Sequence, residues 1–237
     1  MTSNTPMMVW RATPQWKIYH LSPDFPIPRG DDFLSQDDRS RLMTIKHAEK
    51  KRSFLRGRYL LSAIGGIKML QRTSHGYLYS SPQVSLSHKH GWVICGVLNP
   101  DYQGQQTPAT TNIIFGLDLE KQIISQKLAD KLQQKYGSSH VTCVDMARPF
   151  LGTILFSAQE AIYKGFARYG LQSLMKSCVL TQINDSLHPY FDFESVFESK
   201  MPIQQFGSCC DFKVNHKMVL FGDYELILSL ISMAPFI

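Results

Sequence analysis

The chain has 237 residues, 43% hydrophobic, 11% aromatic and 19% charged, and its 25 Lys and Arg against 19 Asp and Glu leave a net charge of +6. This composition excludes disorder as the main state and supports one large core or two small ones, burying about 70–75% of the unfolded surface. No apolar run reaches the roughly 18 residues of a membrane span. Segment 1–11 lacks the basic start and apolar core of a secretory signal, so a cytoplasmic protein is expected.

In chain order, a strand is predicted over 16–21, followed by a loop rich in proline (Pro23, Pro26, Pro28) and an acidic patch (Asp31, Asp32, Asp37, Asp38). A basic helical segment over 39–64 follows, with Gly65 and Gly66 as its stop. Strands are predicted at 83–87 and 92–98, and the polar loop 99–112 is the best internal boundary, dividing the chain into 1–111 and 112–237. The second half opens with a strand over 113–119. Its helix over 125–137 carries Leu128, Leu132 and Tyr136 every four residues, capped by Ser125 and ended by Gly137. After an irregular stretch through Pro149 a further helix is predicted to begin at Ser157, and apolar strands follow at 211–214, 218–221 and 224–232. Strands and helices mixed in each half suggest α+β rather than alternating parallel units. The five cysteines, Cys95, Cys143, Cys178, Cys209 and Cys210, lack Cys-x-x-Cys spacing and indicate neither a disulfide framework nor a zinc site.

Four segments carry candidate chemistry. In Phe115-Gly116-Leu117-Asp118-Leu119-Glu120 the acids stand two apart, so on a strand they share a face, with Leu117 and Leu119 turned to the core. Such a pair either is solvated at a strand end or holds a hard divalent cation. In 156–164, Ser157 and Glu160 read as a capping box and Glu160 with Lys164 as an i,i+4 pair. The same spacing projects one acid and one base from a first helical turn, where a metal-bound phosphate is favoured, while Ile162, Phe166 and Tyr169 face the core. Ser87 and His88 lie in Ser85-Leu86-Ser87-His88-Lys89-His90, either a plain hairpin turn or a polar turn facing an anion. Over 46–58 the basic residues Lys46, Lys50, Lys51, Arg52, Arg56 and Arg58 meet the single acid Glu49, so an anion is a plausible counterpart.

Taken together and in order, Phe54-Leu55-Arg56-Gly57-Arg58, Ser85-Leu86-Ser87-His88, Gly116-Leu117-Asp118-Leu119-Glu120 and Phe156-Ser157-Ala158-Gln159-Glu160-Ala161-Ile162-Tyr163-Lys164 resemble the 4′-phosphopantetheinyl transferases over residues 46–164. Within that superfamily the chain is most similar to the enterobactin synthase component D branch, with the surfactin-type branch as a broader relative. The resemblance implies an α+β monomer of two pseudo-twofold-related subdomains, each a small, mostly antiparallel sheet packed on helices. Coenzyme A and Mg²⁺ would bind in the cleft between them. It implies Asp118, Glu120 and Glu160 as metal ligands, with Asp118, Glu160 and Lys164 catalytic, and Lys164 on the coenzyme A phosphates. Ser87 and His88 would hold the 3′-phosphate region, and Arg52, Arg58 and Arg72 would be further coenzyme A contacts. Gln159 stands where the family has lysine, and His75-Gly76-Tyr77-Leu78 replaces its Gly-x-Pro.

The expected activity is transfer of the phosphopantetheine arm to a serine of an apo acyl, aryl or peptidyl carrier protein, releasing adenosine 3′,5′-bisphosphate. Branch resemblance implies siderophore or other nonribosomal peptide biosynthesis and possible association with a synthase complex. No nucleic acid partner is expected. Two other readings remain: a non-enzymatic nucleic-acid-binding module suggested by the charge, and a carrier-protein-binding relative without catalysis.

Overall fold

The computed structural model describes residues 7–13, 16–30, 32–65, 69–73, 76–79, 84–98, 114–121, 125–143, 148–167, 178–187, 190–199, 211–221 and 223–233. The chain divides into two compact units, Met1–Gln106 and Thr107–Ile237, a division inside the polar segment 99–112. Each combines antiparallel strands with helices, which makes the protein α+β.

The first unit contains β1 (Met7–Thr13), β2 (Trp16–Leu21), α1 (Gln36–Thr44), α2 (Ala48–Gly65), β3 (Met69–Thr73), β4 (Gly76–Tyr79), β5 (Val84–Lys89) and β6 (Trp92–Leu98). Its four-stranded antiparallel sheet runs β1-β2-β6-β5, and β3 pairs with β4 separately. Leu21, Val93 and Cys95 from the sheet and Leu60 and Leu61 from α2 form its core. The β5–β6 hairpin closes through His90 and Gly91, both at positive φ (50° and 78°), the turn chemistry that matches strand twist.

The basic segment expected as one helix is two. Ile45 is extended and ends α1, while Ser35 caps its start: Ser35 Oγ accepts from the Asp38 amide and the Asp38 carboxylate accepts from the Ser35 amide. Two acids of the predicted surface patch therefore lie in the first turn of α1, and Asp38 is buried. Lys46 precedes α2.

The second unit contains β7 (Ile114–Lys121), α3 (Gln126–Tyr136), β8 (Gly137–Cys143), α4 (Arg148–Ala167), β9 (Cys178–Asp185), β10 (Phe193–Ser199), β11 (Asp211–Phe221) and β12 (Tyr224–Met233). Its sheet order is β7-β12-β11-β10-β9-β8, antiparallel except for the β8–β9 pair. Ile154, Leu155, Ala158, Ile162 and Phe166 of α4 pack with Phe197, Val214, Ile227 and Ile231 of the sheet.

Three expectations change here. The helix expected to begin at Ser157 begins nine residues earlier, at Arg148, because Pro149 occupies the first turn, where its missing N–H costs nothing, rather than an irregular lead-in. The strands expected at 211–214 and 218–221 are one, since the polar Asn215-His216-Lys217 between them continues the ladder with Leu230, Ser229 and Leu228. On α3 Ala129 and Leu132 are buried, whereas Leu128 is exposed, and the side chain of Tyr136 lies outside what the structure describes. Tyr169 of the expected core stripe lies outside the described residues. Among the described residues no helix is long and apolar enough to cross a membrane.

Candidate active site

The side-chain period of two puts Gly116, Asp118 and Glu120 on one face of β7. That face lies against α4, and Gly116 is what permits it: a Cβ there would stand 1.9 Å from the Ala161 carbonyl oxygen and 2.6 Å from the Gly165 nitrogen. Strand backbone thus meets helix backbone, and the acids two and four residues on are carried beneath the helix. Both are buried, each 5% exposed, so the pair is not the solvated strand end that sequence alone also allowed. Leu117 and Leu119 on the opposite face are buried too.

On α4, Ser157, Glu160 and Lys164 are spaced by three and four residues and share one side. Asp118 spans two of them. Ser157 Oγ donates to Asp118 Oδ2 at 3.0 Å and Lys164 Nζ donates to Asp118 Oδ1 at 2.6 Å. Ser157 is therefore a buried mid-helix donor and not an N-cap, and Glu160 and Lys164 stand well inside the helix. The helix-terminal dipole expected to favour anions is absent at this position, because its effect falls off within the first turn. Positive charge comes instead from the Lys164 ammonium.

Glu160, half-buried, completes the group. Burial raises its pKa above the ordinary carboxylate value, Lys164 lowers it, and the negative charges of Asp118 and Glu120 raise it further. Among the described residues, Asp118, Glu120 and Glu160 act on one another as like charges, with the Lys164 ammonium paired to Asp118. Glu120 Oε1 accepts from the Lys121 amide at 2.8 Å. Hard oxygen donors suit a hard divalent cation. Among the described residues no three His, Cys, Asp or Glu side chains converge as a complete metal cage. Mg²⁺ is commonly held by one or two carboxylates together with phosphate oxygens, so this donor set fits a metal that arrives with a phosphorylated substrate.

The first unit carries a second group. A cavity of about 450 Å³ is lined by Pro23, Glu49, Arg52, Ser53, Arg56, His88, Lys89, His90 and Gly91. Arg56 is 3% exposed, donates from Nη1 to the Phe25 carbonyl at 3.1 Å, and has no partner at Nε or Nη2. Burial lowers its pKa, with Asp24 opposing and Arg52 adding to that shift. A cation so placed is completed by an anion in the cavity. Arg56 was only one member of the basic run in sequence; its i,i+4 relation to Arg52 was the available signal.

The expected coenzyme A contacts separate. Arg52 and His88 line the cavity, whereas Ser87, next to His88 on β5, is buried on the other strand face. Arg58 is 4% exposed and ion-paired with Asp38, with its guanidinium 4.5 Å from the centre of the Phe54 ring. It joins α2 to α1. Arg72 stands on β3 opposite Tyr77. Gln159 is buried on α4, so a neutral side chain fills a position where lysine would bring an ammonium into the interior. No protein-family model and no curated protein matches the chain.

Proposed function

We propose that this protein is a 4′-phosphopantetheinyl transferase that moves the phosphopantetheine arm of coenzyme A onto a serine of an apo carrier protein. The observation that carries the reading is the convergence of Asp118 and Glu120 from β7 with Glu160 and Lys164 from α4, tied by the 2.6 Å Lys164–Asp118 contact. Taking carboxylates such as Asp118 and Glu120 out of water is costly, which favours a use for their charge. A nucleic-acid-binding surface has no use for them.

In this reading Mg²⁺ would be held by one or two carboxylates of the set Asp118, Glu120 and Glu160 together with phosphate oxygens of the substrate. When bound, such an ion would supply charge neutralisation for the pyrophosphate. Glu160 takes the proton of the carrier serine, and its raised pKa makes it a stronger base than an ordinary carboxylate. The serine oxygen bonds to the phosphorus bearing pantetheine, and adenosine 3′,5′-bisphosphate leaves with the electron pair of the broken P–O bond. Lys164, paired with Asp118, balances charge on the phosphate oxygens. Arg52, Arg56 and His88 of the first unit bind a phosphate of the donor. Arg58 belongs to the scaffold of the first unit, and the reading asks no phosphate contact of it.

Asp118→Asn is expected to reduce transfer from coenzyme A to an apo carrier by about 10²- to 10³-fold or more, with the fold retained. Rates are read by intact mass of the carrier. Transfer at the wild-type rate by a folded Asp118→Asn protein contradicts the reading. Lys164→Ala is expected to raise the coenzyme A concentration needed for half-maximal rate, and an unchanged dependence contradicts its phosphate role.

A further inference from the structure

The tip of the β5–β6 hairpin carries a side chain to which the proposed chemistry gives no role. Lys89 pairs with Trp92, so His90 and Gly91 are the two turn residues, at φ 50° and 78°. Positive φ at both positions favours Asn at the first and Gly at the second. Gly91 follows that preference, and a Cβ on it would stand 3.1 Å from Pro23 Cβ, so the turn is seated closely on Pro23. His90 departs from it. Among the described residues it is the one non-glycine at positive φ. A residue kept in a sparsely populated backbone conformation points to a use for its side chain.

The cavity that the turn borders supplies the use. His90 lines it with His88 and Lys89 on the hairpin side and with Arg52 and Arg56 on the α2 side. Glu49 is the one acid among its lining residues, and it meets Arg52 at 3.3 Å. Arg56, 3% exposed, keeps Nε and Nη2 buried without a partner, which calls for an anion beside it. His90 is exposed, so a ligand can reach it, whereas Ser87 is buried on the other strand face. An imidazole carries at least one N–H donor in either protonation state.

We propose that His90 is a binding residue of this cavity: its imidazole donates a hydrogen bond to the phosphate group held by Arg52 and Arg56, and histidine occupies a turn position suited to asparagine for that reason. The proposal rests on the anion site that the transferase reading uses, and not on phosphoryl transfer itself.

His90→Asn and His90→Gly both suit the turn backbone and both remove the imidazole. Titration calorimetry of the full chain with adenosine 3′,5′-bisphosphate is expected to show about 3- to 10-fold weaker binding by each variant, the worth of one hydrogen bond, while the Tm of His90→Asn equals or exceeds that of wild type. Inorganic pyrophosphate, a probe that assumes no transferase, is expected to lose affinity in the same way. Wild-type affinity for both ligands in the folded variants overturns the proposal, and so does a wild-type protein that binds neither. A loss of affinity that comes only with a lowered Tm assigns His90 to the turn and overturns it as well. In transfer assays His90→Asn is expected to raise KM for coenzyme A by the same factor with kcat within about twofold. Weakened binding of both ligands, with no transfer by the wild type, removes the function and leaves the anion contact standing.

Discussion

Glu160 carries opposing influences that make a stability prediction. Its folded pKa is raised, first by burial and then by Asp118 and Glu120 against Lys164, so the native state holds a proton that the unfolded state has released. Stability therefore falls as pH rises from the ordinary glutamate value through the raised one, and the cost persists above it. Glu160→Gln is expected to be more stable than wild type at pH 7 in a chelator, with the difference shrinking toward pH 4. Urea unfolding across that range checks the sign, and a Glu160→Gln protein less stable at pH 7 contradicts it. Addition of Mg²⁺ is expected to raise the wild-type Tm and to narrow the gap, since a ligand of the native state stabilises by mass action. Arg56 makes the matching case in the first unit. With Nε and Nη2 buried and unpartnered in a residue that lines the cavity, Arg56→Met is expected to weaken binding of adenosine 3′,5′-bisphosphate about 10- to 100-fold, read by titration calorimetry, the worth of one or two charge-assisted hydrogen bonds. Undiminished affinity contradicts an anion site there.

At the scale of elements, β7 and α4 hold the acids in place and α1 and α2 hold the basic face. Gly116→Ala places a Cβ 1.9 Å from a backbone oxygen, so strand and helix must separate; the substitution is expected to lower Tm and to remove transfer together. Arg58→Ala leaves the Asp38 carboxylate buried without its partner and is expected to cost about 3–5 kcal/mol. The exposed Arg52–Glu49 pair at 3.3 Å is worth about 1 kcal/mol or less, so Arg52→Ala is expected to leave denaturant midpoints nearly unchanged. Equal losses from the two arginine substitutions contradict the assignment of Arg58 to scaffold. Much of this was legible beforehand where period and punctuation agree: β2 and β6 follow their patterns closely, α3 keeps the bounds set by Ser125 and Gly137, and the shared face of Asp118 and Glu120 follows from spacing alone. The rest depended on tertiary context. Ser157 reads as a cap because serine three residues before glutamate satisfies a local rule, yet its partner is Asp118, 39 positions away. Asn215-His216-Lys217 reads as a break in a strand because only the folded sheet supplies Ser195 and Ser229 to satisfy the imidazole. Arg58 reads as one more surface base because Asp38 is 20 residues distant.

For the whole molecule, the net charge of +6 admits a polyanion partner and a phosphorylated cofactor alike. A charged surface alone binds nucleic acid with a steep salt dependence and no need for a divalent ion. The proposed transferase instead uses the buried Asp118 and Glu120 of β7 and the half-buried Glu160 of α4, with Lys164 paired to Asp118, and is expected to need a divalent ion. The most direct measurement is the intact mass of an apo aryl carrier domain after incubation with this protein, coenzyme A and Mg²⁺. The account predicts a gain equal to one phosphopantetheine arm, abolished by chelator and by Asp118→Asn. A carrier mass that stays unchanged with a range of apo acyl, aryl and peptidyl carriers, while the protein is folded and Mg²⁺ is present, contradicts it.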